Sequence, residues 1–257
     1  MAWLGGMGRG NIGTLIVAIA LSVGFFAERP AMADERKILV ASFENIQVIG
    51  DIKVQVQTGK APSAIAKGDK RVLDALKLER VGLTLRVRLQ GALNNEQGVP
   101  MTQPIEVMLS TQAIKDMTVS GNGSLQISEV KQQDAARMLV AGNGSIVVER
   151  LITDQFSADI DGNGRIDIQA GKVRDGRVTL NGTGHFDAAN VPMRNLRLQH
   201  IGNGESRVHV DEAANIFNRG TGSINVGGNG SCFVKQAGSA VINCATTMNG
   251  YSNICMI

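Results

Sequence analysis

Val119-Ser120-Gly121-Asn122-Gly123-Ser124-Leu125-Gln126-Ile127 is answered, one period later, by Val140-Ala141-Gly142-Asn143-Gly144-Ser145-Ile146-Val147-Val148. The frame returns at Gly162-Asn163-Gly164, Gly182-Thr183-Gly184, Gly202-Asn203-Gly204 and Gly220-Thr221-Gly222, and in degraded form at Gly238-Ser239-Ala240. The intervals are 21, 20, 20, 20, 18 and 18 residues. A fixed period of this length marks units that bury an apolar face only by stacking on their neighbours, which is the logic of a solenoid.

With the first glycine as origin, position minus four reads Met117, Met138, Ala158, Val178, Leu198, Ile216, Val234, and plus four reads Leu125, Ile146, Ile166, Phe186, Ser206, Ile224, Ile242. Positions minus two and plus six are apolar in the same way, and only His200, Ser206, Asn218 and Gln236 interrupt the four columns. Plus three and plus five are mostly polar. Alternation with period two is the signature of strands, because successive side chains point to opposite faces. No run holds the 3.6-residue helical period for more than a turn, so the fold predicted is all-β: a parallel β-helix with coils of roughly twenty residues, right-handed by the crossover rule. Its rungs would lie about 4.8 Å apart.

The glycines at even offsets then read as coil corners, where a Cβ would strike the chain or demand a backbone angle that glycine adopts cheaply. Asn or Thr between them is expected to stack as an amide or hydroxyl ladder. Gly227-Gly228-Asn229-Gly230 comes too soon for another repeat and reads as a turn out of its coil.

The N-terminus carries Arg9, an apolar stretch from Ile12 to Phe26 and then Ala31-Met32-Ala33. This is the form of a secretory signal cleaved before Asp34. The expected layout is a signal peptide over 1–33 and one domain over 34–257, with repeats from about 115 to 247 and a C-terminal cap at 245–257. No later run is apolar for long enough to span a bilayer as a helix. Before the repeats, alternating runs at Ile52-Val54-Val56, Leu83-Leu85-Val87-Leu89 and Ile105-Val107-Leu109 predict further strands, Val72-Leu73 and Leu76 at near-helical spacing fit a short helix or an irregular excursion, and residues 91–104 read as an exposed loop.

A balance of 26 basic to 23 acidic residues, with 4% aromatics, excludes the basic, aromatic-rich make-up of a nucleic-acid binder. All three cysteines fall in the tail, at spacings that match no zinc pattern. Export permits a disulfide, and Cys244 with Cys255 is the favoured pair. No metal or other cofactor is expected.

Phe43-Glu44-Asn45-Ile46-Gln47-Val48-Ile49-Gly50-Asp51-Ile52-Lys53-Val54-Gln55-Val56-Gln57-Thr58-Gly59, the Pro104-Ile105-Glu106-Val107 strand and the repeated Val-Ser-Gly-Asn-Gly-Ser units resemble the auto-transporter adhesin head, or GIN, domain family (DUF2807). The resemblance covers about residues 40 to 247. It implies an exported bacterial β-helix with a role in cell adhesion, and it supplies no catalytic residues. The family usually has Ser between the glycines and Asp after them; here Asn is commoner, followed by Ser, Arg, His or Glu.

Parallel β-helices also host polysaccharide lyases and hydrolases, so the outward acids are weighed as candidates. Asp167 and Asp187 stack on adjacent rungs at plus five, and paired carboxylates serve glycan chemistry as acid and base or share a cation. Arg165, Arg177, Arg197 and Arg207 also point outward, and Asp187 beside Arg207 reads as a surface ion pair. The candidate binding face is therefore Arg165, Asp167, His185, Asp187, Glu205 and Arg207. The function expected is exported, non-enzymatic binding of a surface glycan, another protein or a second copy of the chain, in the periplasm, at the cell surface or outside the cell. The alternatives are a carbohydrate-active enzyme and an envelope protein that self-associates.

Overall fold

Ile146 pairs in parallel with Leu125 on one rung and Ile166 on the next, and Val148 likewise with Ile127 and Ile168. That register is what the apolar columns require, since a Val or Ile removed from water contributes about 1.5–3 kcal/mol and here can reach that state only against its equivalents above and below. In this computed structural model, which describes residues 34–90, 105–245, 247–248 and 251–252, the chain is nearly all β, 75% strand and 3% helix, and forms a β-solenoid of about six turns. The signal-like segment, the 91–104 loop and Cys255 lie outside the described residues.

Each full coil has three sides, one more than the two strands that the apolar columns mark before and after the glycines. Along Ser145–Gly162 the inward residues are Ile146 and Val148, then Leu151 and Thr153, then Phe156, Ala158 and Ile160. The doublets Glu149-Arg150 and Asp154-Gln155 are both exposed and break the alternation, as does the glycine corner. Side 1 follows the glycines, side 2 is the short stretch at Leu151–Thr153, and side 3 leads into the next corner.

The two glycines of a corner are needed for different reasons. Gly142 has φ +112, the left-handed region, and its Cβ would lie 2.9 Å from the Gly121 carbonyl oxygen. Gly144 needs no such angle, but a Cβ there would meet Gly123 O at 2.7 Å and Val119 Cγ1 at 2.5 Å. Rungs approach so closely because Asn143 N and Ser145 N donate to Gly121 O and Gly123 O, each at 3.0 Å. The expected ladder is present: Asn143 Nδ2 donates to Asn122 Oδ1 and Asn163 Nδ2 to Asn143 Oδ1, both at 3.0 Å. Thr183 continues it onto Asn163, and Thr221 hydrogen-bonds Asn203.

The N-terminal third interleaves. Strands β1 (Asp34–Ile38), β2 (Asn45–Ile49), β3 (Ile52–Thr58) and β4 (Ser63–Gly68) precede the helix α1 (Lys70–Ala75), followed by β5 (Leu76–Val81), β6 (Thr84–Leu89) and β7 (Ile105–Thr111). Asp69 caps α1, its carboxylate accepting from Arg71 N at 2.9 Å, and Val72 and Leu73 are buried. β2 lies between β6 and the later strand β8 (Asp116–Gly121), and β3 between β7 and β9 (Ser124–Gly142), all in parallel. Antiparallel pairings of β1 with β4, β4 with β7 and β5 with β6 close this end. Short charged strands such as Asp34-Glu35-Arg36-Lys37 blunt the edge against pairing with another chain.

Beyond these, β10 (Ser145–Gly162), β11 (Arg165–Ile168), β12 (Gly171–Gly182), β13 (His185–Gly202) and β14 (Glu205–Asn218) build the full coils. β15 (Ser223–Gly227), β16 (Ser231–Gln236) and β17 (Val241–Cys244) end them. The pairing jumps from Ala188–Val208 to Pro192–His209, so the shorter period comes from losing the corner between sides 1 and 2. Gly227–Gly230 starts no new repeat, as expected, but it turns within its coil, from β15 to β16, where a turn out of the coil was expected; Gly230 N donates to Val210 O. Three other expectations fail at this end. Val234 is only half-buried and Gln236 is exposed, because no further rung covers β16 on side 3 among the described residues. Cys244 bridges to Cys232 instead of Cys255, with Cα atoms 6.4 Å apart, because the two sides converge where the last coil closes.

Candidate functional site

Parallel register turns the side 1 columns of β11, β13 and β14 into a patch two residues wide. Arg165, His185 and Glu205 align in one column, and Asp167, Asp187 and Arg207 in the other. The six side chains of the expected binding face are therefore brought together.

They are also largely occupied with one another. Arg165 Nε is 3.3 Å from Asp167 Oδ2, and Arg207 Nε is 3.4 Å from Asp187 Oδ2 and 3.3 Å from Glu205 Oε1. Arg207 Nη2 lies 3.2 Å from His185 Nε2. A guanidinium has only donors, so in that hydrogen bond Nε2 is the acceptor, and the other ring nitrogen, Nδ1, faces Glu205 Oε2 at 3.4 Å. Asp187 also accepts from Ala189 N at 3.1 Å. The Asp167 carboxyl is raised above its ordinary value, chiefly by partial burial and further by Asp187, against the opposing pull of Arg165, His185 and Arg207.

Asp167, His185 and Asp187 each offer one ligand atom, all within 4.8 Å of one another. A divalent cation placed there would have to displace Arg207 from the Nε2 lone pair and face a second guanidinium at Asp167. The donor set suits an ion-pair network better than a metal.

Side 3 carries the opposite arrangement, and reading plus three and plus five alone missed it. At position minus five the outward column runs Asp116, Arg137, Ser157, Arg177, Arg197, Asn215, Phe233, each in parallel register with the next. From Arg137 onward the column lines a groove of ≈ 1680 Å³ that crosses the rungs. Among the described residues, the side chains of Arg177 and Arg197 make no ion pair and no hydrogen bond. The signal was legible: the glycine phase that orders the inward columns also aligns these arginines.

Inside the coil, His200 and Ser206 are fully buried, and both ring nitrogens and the hydroxyl lack a partner among the described residues. Burial holds the His200 imidazole below its ordinary pKa. Asn218, also buried, closes on its own corner, accepting from Gly220 N and donating to Gly220 O. The three polar residues are core positions, with no access from outside.

No curated protein matches the chain. Solved structures share the fold. A "putative adhesin" from Bacteroides fragilis superposes with TM-score 0.72 at 15% identity, covering 83% of this chain and 97% of its own. A "putative lipid binding protein" from Parabacteroides distasonis gives 0.61 at 19% identity, covering 82% and 96%. A "putative adhesin" from Parabacteroides merdae gives 0.59 at 19%, covering 82% and 95%. The family model described as "Putative auto-transporter adhesin, head GIN domain" matches residues 42–230, from the interleaved strands through the glycine corners to the turn before β16, and the chain belongs to that family.

Proposed function

We propose that this chain is an exported, non-enzymatic β-solenoid that binds a surface glycan or protein, as an adhesin head does. The observation that carries the non-enzymatic half is the state of the side 1 acids. Asp167, Asp187 and Glu205 each have a cation within 3.4 Å, whereas a general acid and base must be free to exchange protons with a substrate. Family membership supports the binding half and export to the cell surface. Among the described residues no helix is long and apolar enough to cross a membrane.

A glycan array probed with residues 34–257 tests both halves. Retained glycans that stay intact are the expected result. Release of oligosaccharides that disappears in Asp167→Asn/Asp187→Asn would establish the enzyme instead. Export is tested by N-terminal sequencing of the protein recovered from outside the cytoplasm, with Asp34 expected as the first residue.

A further inference from the structure

Two arginines stacked on neighbouring rungs of a parallel sheet repel one another, and like charges held side by side in this way cost stability. Arg177 and Arg197 are paired in register, about one rung spacing of 4.8 Å apart at the backbone. Both are exposed, and among the described residues no acid neutralises either. Asp175, on the same side, is taken by Arg174 at 3.0 Å and by Asn195 at 3.0 Å. Asp159, the next outward residue of β10 after Ser157, lies within ion-pair distance of no arginine among the described residues. The contrast with side 1, where every cation of the patch is matched, makes the row a local charge surplus.

The groove adds two features. At its C-terminal end Phe217 lies under Arg219, whose guanidinium carbon is 5.0 Å from the ring centroid, and under Lys235 at 5.9 Å. Phe233, 60% exposed, extends the line beside them. The row of arginines thus ends on an aromatic platform.

We infer that the side 3 groove binds a linear acidic polysaccharide, with Arg177 and Arg197 taking carboxylates or sulfates on the chain and the Phe217–Phe233 platform receiving a sugar ring. The length of one sugar ring is close to one rung, so regularly spaced anions on the polymer meet guanidiniums spaced by the coil. Arg is suited to this because its fork donates two parallel hydrogen bonds to a carboxylate or sulfate. A sugar presents apolar C–H faces to the ring and hydroxyls to Thr179 and Gln199, which also line the groove. A nucleic acid fits less well, since the chain carries a net charge of only +3 and a single aromatic platform. The inference rests on the binding reading above and specifies its ligand.

The test is affinity electrophoresis of the full exported chain in gels containing polygalacturonate, dextran or a single-stranded oligonucleotide. Retardation by polygalacturonate alone is expected. Arg177→Ala/Arg197→Ala should weaken it at least about tenfold, the loss of one or two charge-assisted contacts, while Arg150→Ala/Lys172→Ala, an equal charge change at exposed positions outside the groove, leaves it unchanged. Melting curves establish that both variants fold; removing two repelling charges should not lower Tm. Equal retardation by dextran, equal loss in the control variant, or stronger retardation by the oligonucleotide would overturn the proposal. Array hits confined to neutral glycans would sink the acidic ligand yet leave the binding reading standing, whereas glycan cleavage would sink that reading itself.

Discussion

The coils from Ser145 to Gly202 and those after Glu205 repeat the same corner but are held together by different means. In the longer coils all three sides point apolar groups inward, and Phe156 and Phe186 stack across the interior with centroids 6.0 Å apart. In the shorter ones a corner is gone, its buried Val191 has no counterpart in the next coil, and Ser206 and Asn218 occupy inward positions. A disulfide then joins the sides of the last coil. Two residues fewer per turn narrow the cross-section until packing gives way to local hydrogen bonds and a covalent tie.

The strongest test of this difference is a pair of truncations. Phe186→Ala should cost about 3–5 kcal/mol in urea unfolding, as large-to-small changes in a packed core do. Val234→Ala, on the half-buried last rung, should cost several times less. Equal costs would mean that the terminal coil is as tightly built as the centre.

Removing the disulfide should cost about 3 kcal/mol for a loop of this size. Hydrogen exchange on Cys232→Ser/Cys244→Ser should show lost protection across β15–β17 while β10–β13 keep theirs. Loss spread evenly along the solenoid would contradict a local tie.

The smallest effect sits where the two regions meet. His200 is protonated less readily folded than unfolded, so stability is full above the unfolded pKa of about 6.5 and falls as pH drops below it. His200→Leu, which extends the Leu180 and Leu198 packing, should flatten the decline of Tm between about pH 7 and pH 5. An unchanged slope would assign the acid sensitivity elsewhere.

Sides 1 and 3 were legible because four apolar columns and a glycine phase reinforce one another. Side 2 was not, because it offers two inward positions between exposed doublets, and in one coil Gly171 takes the place of an apolar side chain. The site was half legible. The side 1 patch and the Asp187–Arg207 pair within it followed from the phase, but the contacts of Arg165 with Asp167 and of His185 with Glu205 depend on side-chain reach, which spacing does not report. The side 3 arginines were seen to point outward yet grouped with Arg165 and Arg207, and only the register separates the paired from the unpaired. The Cys244 partner was misjudged because closure of the last coil is a tertiary event with no periodic trace.

The interleaving of β2 and β3 between later strands sets a direction for growth and assembly. A strictly sequential solenoid can gain or lose a coil at either end. Here the coil of β2 and β3 pairs with strands that come about seventy residues later in the chain, as Asn45 with Asp116 and Lys53 with Ser124, so it cannot finish its sheet until β8 and β9 have emerged. Duplication of a repeat within this part would separate partners that must meet. Past Gly142 each coil touches only its neighbours, and change in length can accumulate there, toward the end that the shortened coils and the disulfide bring to a stop.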